Sequence, residues 1–178
     1  MIKIGTLPAG VILALGIAAG VLAAPLDIKL KRLSSEKDWV ANQITMGNRQ
    51  SCIAHTVNDG RAWVFGIGFE IEQGPYVLAK LPWPETLPGH GPFLIEVGEH
   101  IYQFRGEAST DIRPAGTEFE MPIRDPKLLA QFLRDVAAGN HVTVRGLTAN
   151  HVYSLAGSNA AIDAFNKCVA ILNLQTGN

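Results

Sequence analysis

Along most of the chain apolar and polar residues alternate one by one, which is the period of a half-buried strand. The clearest run places Trp63, Phe65, Ile67 and Phe69 on one face and Val64, Gly66 and Gly68 on the other. Two glycines on that second face leave room for close approach, and the C-terminal helix is the expected occupant. Upstream, Asp38-Trp39-Val40-Ala41 and Ser51-Cys52-Ile53-Ala54-His55 read as strands, with Trp39 in the core. Asn58-Asp59-Gly60 has hairpin-turn composition. Tyr76-Val77-Leu78-Ala79 continues the sheet. Phe93 to Val97 and His100 to Phe104 then form a hairpin about Gly98-Glu99, a type II′ turn with glycine first. That register puts Phe93, Ile95 and Val97 on one face with His100, Tyr102 and Phe104, leaving Glu96 and Gln103 on the other. Thr117 to Met121 alternates in the same way, with Glu118 and Glu120 outward on an edge strand.

Two stretches switch to helical spacing. Asp125-Pro126 supplies a cap and a first-position proline, Leu129, Phe132, Leu133 and Val136 make one apolar stripe, and Gly139 ends it. Val142 and Val144 mark a strand that pairs with residues 150–155. The chain closes on Val152-Tyr-Ser-Leu-Ala-Gly-Ser and a helix running past Cys168. Gly157 permits the corner, and Ser158 is placed to cap. Ile162, Phe165, Val169 and Leu172 form the buried stripe, with Cys168 beside it and Asp163–Lys167 as an i,i+4 pair on the wet side. The fold expected is mainly β with two helices (α+β): about eight or nine strands, mostly antiparallel. They would form a β-sandwich or a strongly curved sheet, with the C-terminal helix packed on it.

The N-terminus follows another pattern. From Ile4 to Leu26 there is no charge, and Lys3 alone forms a basic n-region. Residues 1–24 therefore read as a signal peptide, cleaved after Ala23 or Ala24, or as an uncleaved membrane anchor. Residues 25–37 read as a polar linker, and 38–178 as a single β-rich domain. Lys29, Lys31 and Arg32 outnumber Lys3, a bias that favours a cytoplasmic domain on an inner-membrane anchor. The pair of cysteines favours a periplasmic or secreted chain. Both placements stay open at this point.

Composition narrows the partners. A formal net charge of −1 over 178 residues creates no field for nucleic acid, and contact with a membrane would come only through the N-terminal segment. Cys52 and Cys168 are too far apart for a redox Cys-x-x-Cys pair. As a staple they would close a loop worth on the order of 4–5 kcal/mol in the chain-entropy model. The alternative is two buried free thiols in a reducing compartment. Histidines at 55, 90, 100, 141 and 151 show no structural-zinc spacing, although His141 and His151 lie on neighbouring strands; no metal or cofactor is expected. No Gly-x-Ser-x-Gly, His-Glu-x-x-His or phosphate-cradling glycine loop is present. The one suggestive surface is Leu81-Pro-Trp-Pro-Glu-Thr-Leu-Pro-Gly-His-Gly-Pro92, a stiffened loop. Leu81, Trp83 and Leu87 are its candidate partner-binding residues, unless Trp83 folds back over the domain's own core.

The Trp39 strand, the Cys52 strand and the closing Ser154-Leu-Ala-Gly-Ser-Asn-Ala-Ala-Ile-Asp-Ala-Phe-Asn-Lys-Cys168 element follow an export-like N-terminus. Together they resemble the invasion-associated locus B family of small exported envelope proteins of Gram-negative, chiefly alphaproteobacterial, bacteria. The resemblance spans most of residues 39–169 and implies a periplasmic or envelope β-rich domain, non-enzymatic, linked to stress or host interaction. It carries over no catalytic or ligand residue. The expected function is that of an exported binding or accessory protein whose partner is an envelope or host protein. A small enzyme with a distributed site and a membrane-anchored cytoplasmic domain are the alternatives.

Overall fold

The structure, a computed structural model, describes residues 27–56, 65–81, 90–108, 117–145 and 150–176. In chain order β1 is Ile28–Glu36, β2 Trp39–Met46, β3 Arg49–Thr56, β4 Phe65–Glu70 and β5 Gly74–Leu81. They are followed by β6 His90–Val97, β7 His100–Ala108, β8 Thr117–Pro122, α1 Pro126–Ala138, β9 His141–Arg145, β10 Asn150–Ser154 and α2 Ser158–Thr176. The ten strands form one antiparallel sheet in the order β1-β2-β3-β4-β5-β8-β7-β6-β9-β10.

That order contains two halves. Among the described residues β7 meets β8 at Glu107↔Glu120 and Ala108↔Phe119, a short join. The half from β1 to β8 can therefore fold over the half from β7 to β10, in the manner of a sandwich made from one curled sheet. Contacts between the halves confirm the closure. The Trp39 indole N–H donates to the Ser154 carbonyl at 2.9 Å, and the Tyr153 hydroxyl donates to the Lys80 carbonyl at 3.1 Å. Phe93 meets Phe119 at 5.2 Å, and Phe65 stacks on Tyr153 at 6.0 Å. The α+β reading, with the C-terminal helix on the sheet, is thus observed.

Local chemistry accounts for the turns. Gly98 has φ +60° while Glu99 does not enter the positive-φ region, the type II′ arrangement expected of that hairpin. Phe93↔Phe104, Ile95↔Tyr102 and Val97↔His100 face each other as the alternation requires. Helix α1 begins as expected: the Asp125 carboxylate accepts from the Lys127 N–H at 2.8 Å. Its buried stripe centres on Phe132 and Val136, with Leu129 and Leu133 at the shoulders. Phe132 wedges between the two halves, 6.4 Å from Phe65 and 4.8 and 5.3 Å from Tyr102 and Phe104.

Several expectations are corrected. Residues 28–36 are not linker but the edge strand β1, paired along β2 from Ile28↔Met46 to Glu36↔Trp39. An edge strand with lysines can look like linker because charge is how such edges avoid pairing with other chains. The glycine face of β4 is not filled by a helix. A Cβ at Gly66 would sit 2.9 Å from His55 Cβ, and one at Gly68 would overlap the Tyr76 ring. Helix α2 lies instead across β1, β2 and β3 on the opposite, core side. Strand β8 is not an edge, because it lies between β5 and β7. Gly139 does end α1 as expected, with φ −77°, and a side chain there would press Leu155 Cδ1 at 2.8 Å and the Asp135 carbonyl at 2.9 Å. The proline-rich loop is shorter than expected, since Pro92 belongs to β6 opposite Arg105, beyond the last β9 partner pair at Leu94↔Arg145. A proline is tolerated there because, among the described residues, that side of β6 has no ladder to donate into.

Candidate functional site

The C-terminal corner forms a lock on the first hairpin. The Asp38 N–H donates to the Ala156 carbonyl at 3.1 Å, beside the Trp39–Ser154 bond. Gly157 takes φ +90°, and any Cβ on it would overlap the Glu36 carbonyl. Only glycine satisfies both demands. Ser158 does not cap its own helix as expected. It is the first residue of α2, and its buried hydroxyl donates to the Val136 carbonyl at 2.7 Å, satisfying an orphan acceptor at the end of α1.

From that corner α2 carries Cys168 to Cys52. The two are disulfide-bonded with Cα atoms 6.1 Å apart, and no free cysteine is present. Cys168 belongs to the buried stripe with Ala161, Ile162, Phe165 and Leu172, while Val169 sits at its margin. The helix is therefore held over β1–β3 at its start by the corner and further along by the bridge.

Beside the bridge lies a half-open groove of about 200 Å³. Strands β1 and β2 supply Lys31, Leu33 and Gln43; α2 supplies Ala164, Lys167, Cys168 and Ile171. Strand register explains the meeting: Lys31 faces Gln43, and Gln43 faces Cys52, so one row runs from the edge strand to the bridge. Gln43 also donates to Gln50 Oε1 at 3.1 Å. Lys167 pairs with Asp163 at 2.7 Å on the exposed side of the helix, as its spacing predicts. No motif in the sequence announces this groove, because it arises where a strand row crosses a helix face.

The titratable side chains assemble differently from expectation. His55 is buried on the outer face, opposite Cys52, and its Nε2 lies 3.2 Å from Asn42 Nδ2. Burial lowers its pKa to about 4, a backbone hydrogen bond at Thr56 opposes that, and the Arg32 charge adds to it. His100 Nδ1 lies 2.8 Å from Asp135 Oδ2, and the Tyr102 hydroxyl donates to the same oxygen. Burial, then Asp135, pushes the Tyr102 pKa upward. This trio ties the β6–β7 hairpin to α1. The period-2 spacing of His100 and Tyr102 was legible, but their convergence on Asp135 was not. His141 and His151 do not meet: Ser154↔His141 and His151↔Val144 place them on opposite faces. Among the described residues no group of three or more His, Cys, Asp or Glu could hold a metal ion.

Of the expected docking residues, Leu81 is removed by the structure. It ends β5 on the core side and is 0% exposed, so it extends no surface patch. Trp83 and Leu87 lie outside the described residues, as does Trp63. No helix among the described residues is long and apolar enough to cross a membrane.

No protein-family model and no curated protein matches the chain. Among solved structures, the crystal structure of invasion associated protein B from Bartonella henselae is similar, with a TM-score of 0.47 and 17% identity. The match covers 79% of this chain and 97% of that one.

Proposed function

We propose that this chain is an exported binding or accessory domain of the bacterial envelope, acting by association rather than by catalysis. The observation that carries this reading is the Cys52–Cys168 bridge, whose two residues lie in the core. Structural disulfides of this kind persist in oxidising compartments and are rare in the cytosol. The uncharged stretch from Ile4 to Leu26 supports export independently of the cysteines. Association is supported by the titratable residues themselves. His100, Asp135 and Tyr102 serve as a clamp between a hairpin and a helix, and His55 is shut into the outer face of the sheet.

Protease treatment of spheroplasts and intact cells tests the placement. An envelope protein should be released with the periplasm or be digested in spheroplasts while cytoplasmic markers survive. Protection of the whole chain until the inner membrane is lysed would overturn it.

A further inference from the structure

We propose that the groove between β1–β2 and α2 is a binding site for an anionic amphiphile with a short acyl chain. This goes beyond the envelope reading and rests on the groove's own chemistry. The apolar part of the lining is Leu33, Ala164, Ile171 and Cys168 of the bridge. The polar positions are two lysines from different elements, Lys31 on the strand and Lys167 on the helix, with Gln43 beside Lys31 as a neutral donor and acceptor. Asp163, four residues before Lys167, is not part of the lining. Its pair with Lys167 is solvent-exposed on both sides, so an incoming carboxylate competes with a weak interaction. Lys31 has no ion-pair partner among the described residues.

Size sets the chain length. A cavity of about 150 Å³ holds benzene, so about 200 Å³ suits a chain of about eight carbons. Ile171 is 54% exposed at the groove, an apolar surface that an acyl chain would cover. The walls are already fixed. Cys168 is bonded to Cys52 below, and Gly157 is seated against Glu36 at the start of the helix. A preorganised site of this kind loses little entropy when it is filled. The shared chemistry is an apolar chain ending in a negative group, and a free fatty acid or an anionic lipid could present it.

The test is a titration of octanoate into the full oxidised chain, ¹⁵N-labelled and followed by amide shifts. Saturable shifts should centre on Lys31, Gln43, Ala164, Lys167 and Ile171. Lys31→Glu and Lys167→Glu should each weaken binding by roughly tenfold or more, and octyltrimethylammonium should not bind there. Both lysines are exposed, so the variants should keep the wild-type spectrum elsewhere, which serves as the folding control. Phosphatidylglycerol vesicles that compete for the same amides would assign the source to a bilayer. If they leave those amides unchanged, the source is the free acid. Non-saturable or scattered shifts would overturn the proposal, as would equal binding of the cationic amphiphile or unchanged affinity in both variants. None of these outcomes depends on where the protein resides in the cell.

Discussion

The sharpest energetic consequence of the fold concerns His55. Its imidazole is 3% exposed and faces Asn42, with Gly66 and Leu78 on the neighbouring strands and the Arg32 charge nearby. In the unfolded chain it titrates near its ordinary 6.5, whereas in the folded chain burial holds the pKa at about 4. Between those values the unfolded chain binds the proton and the folded chain does not, so folding stability rises with pH across this window. At about 1.4 kcal/mol per unit, the displacement corresponds to about 3 kcal/mol. That stability is fully present above about 6.5, is lost progressively as the pH falls, and is gone below about 4. Urea unfolding at several pH values, on the wild type and on His55→Gln, isolates the effect. Other groups titrate in both chains and cancel, and any fixed cost of the substitution shifts the whole curve without tilting it. The stability difference should change by about 3 kcal/mol between pH 7 and pH 4. A flat difference curve would refute the reasoning, and so would a directly measured His55 pKa near 6.5 in the folded protein.

Two further substitutions probe the locks around the closing helix. Gly157→Ala combines a left-handed backbone with a side chain driven into the Glu36 carbonyl. It should cost more than about 3 kcal/mol and lower Tm by about 10 °C, and a loss under 1 kcal/mol would contradict the corner geometry. Tyr102→Phe removes one of the two donors to Asp135 and leaves His100 in place. It should cost about 1 kcal/mol in chemical denaturation, and a change too small to measure would show that the clamp is not formed.

Much of the sheet was legible because a half-buried strand writes its pleat into the sequence. The β6–β7 hairpin is the clearest case: apolar alternation fixed its faces, and Gly98 fixed its turn. The start of α1 was legible for the same kind of reason, since Asp125 and Pro126 act on their immediate neighbours. Strand β1 was hidden by its own function at an edge. Its lysines read as solvated linker, yet Lys31 faces the groove while Ile28 and Leu30 are 61% and 58% exposed. The insertion of β8 beside β5 depends on a pairing that no local pattern records. Leu81 misled because it stands at a boundary, where the last core position of a strand adjoins a proline-rich loop. Gly68 shows the limit of volume arguments: the space beside a glycine was inferred correctly, but its occupant is the Tyr76 ring of the next strand rather than a helix. The groove was not legible at all, because its two lysines are separated by most of the chain and meet only where the strand row crosses the last helix.

One disulfide pins the third strand to the last helix, and the export proposed for the chain would place it where such a bridge persists. Intact mass of the protein isolated from fractionated cells, after alkylation without reduction, tests it most directly. An exported, pinned domain should begin at Ala24 or Pro25, carry no alkyl adduct, and yield a bridged Cys52–Cys168 peptide on digestion. A chain that retains Met1 and carries an adduct on each cysteine would contradict both the export and the pin.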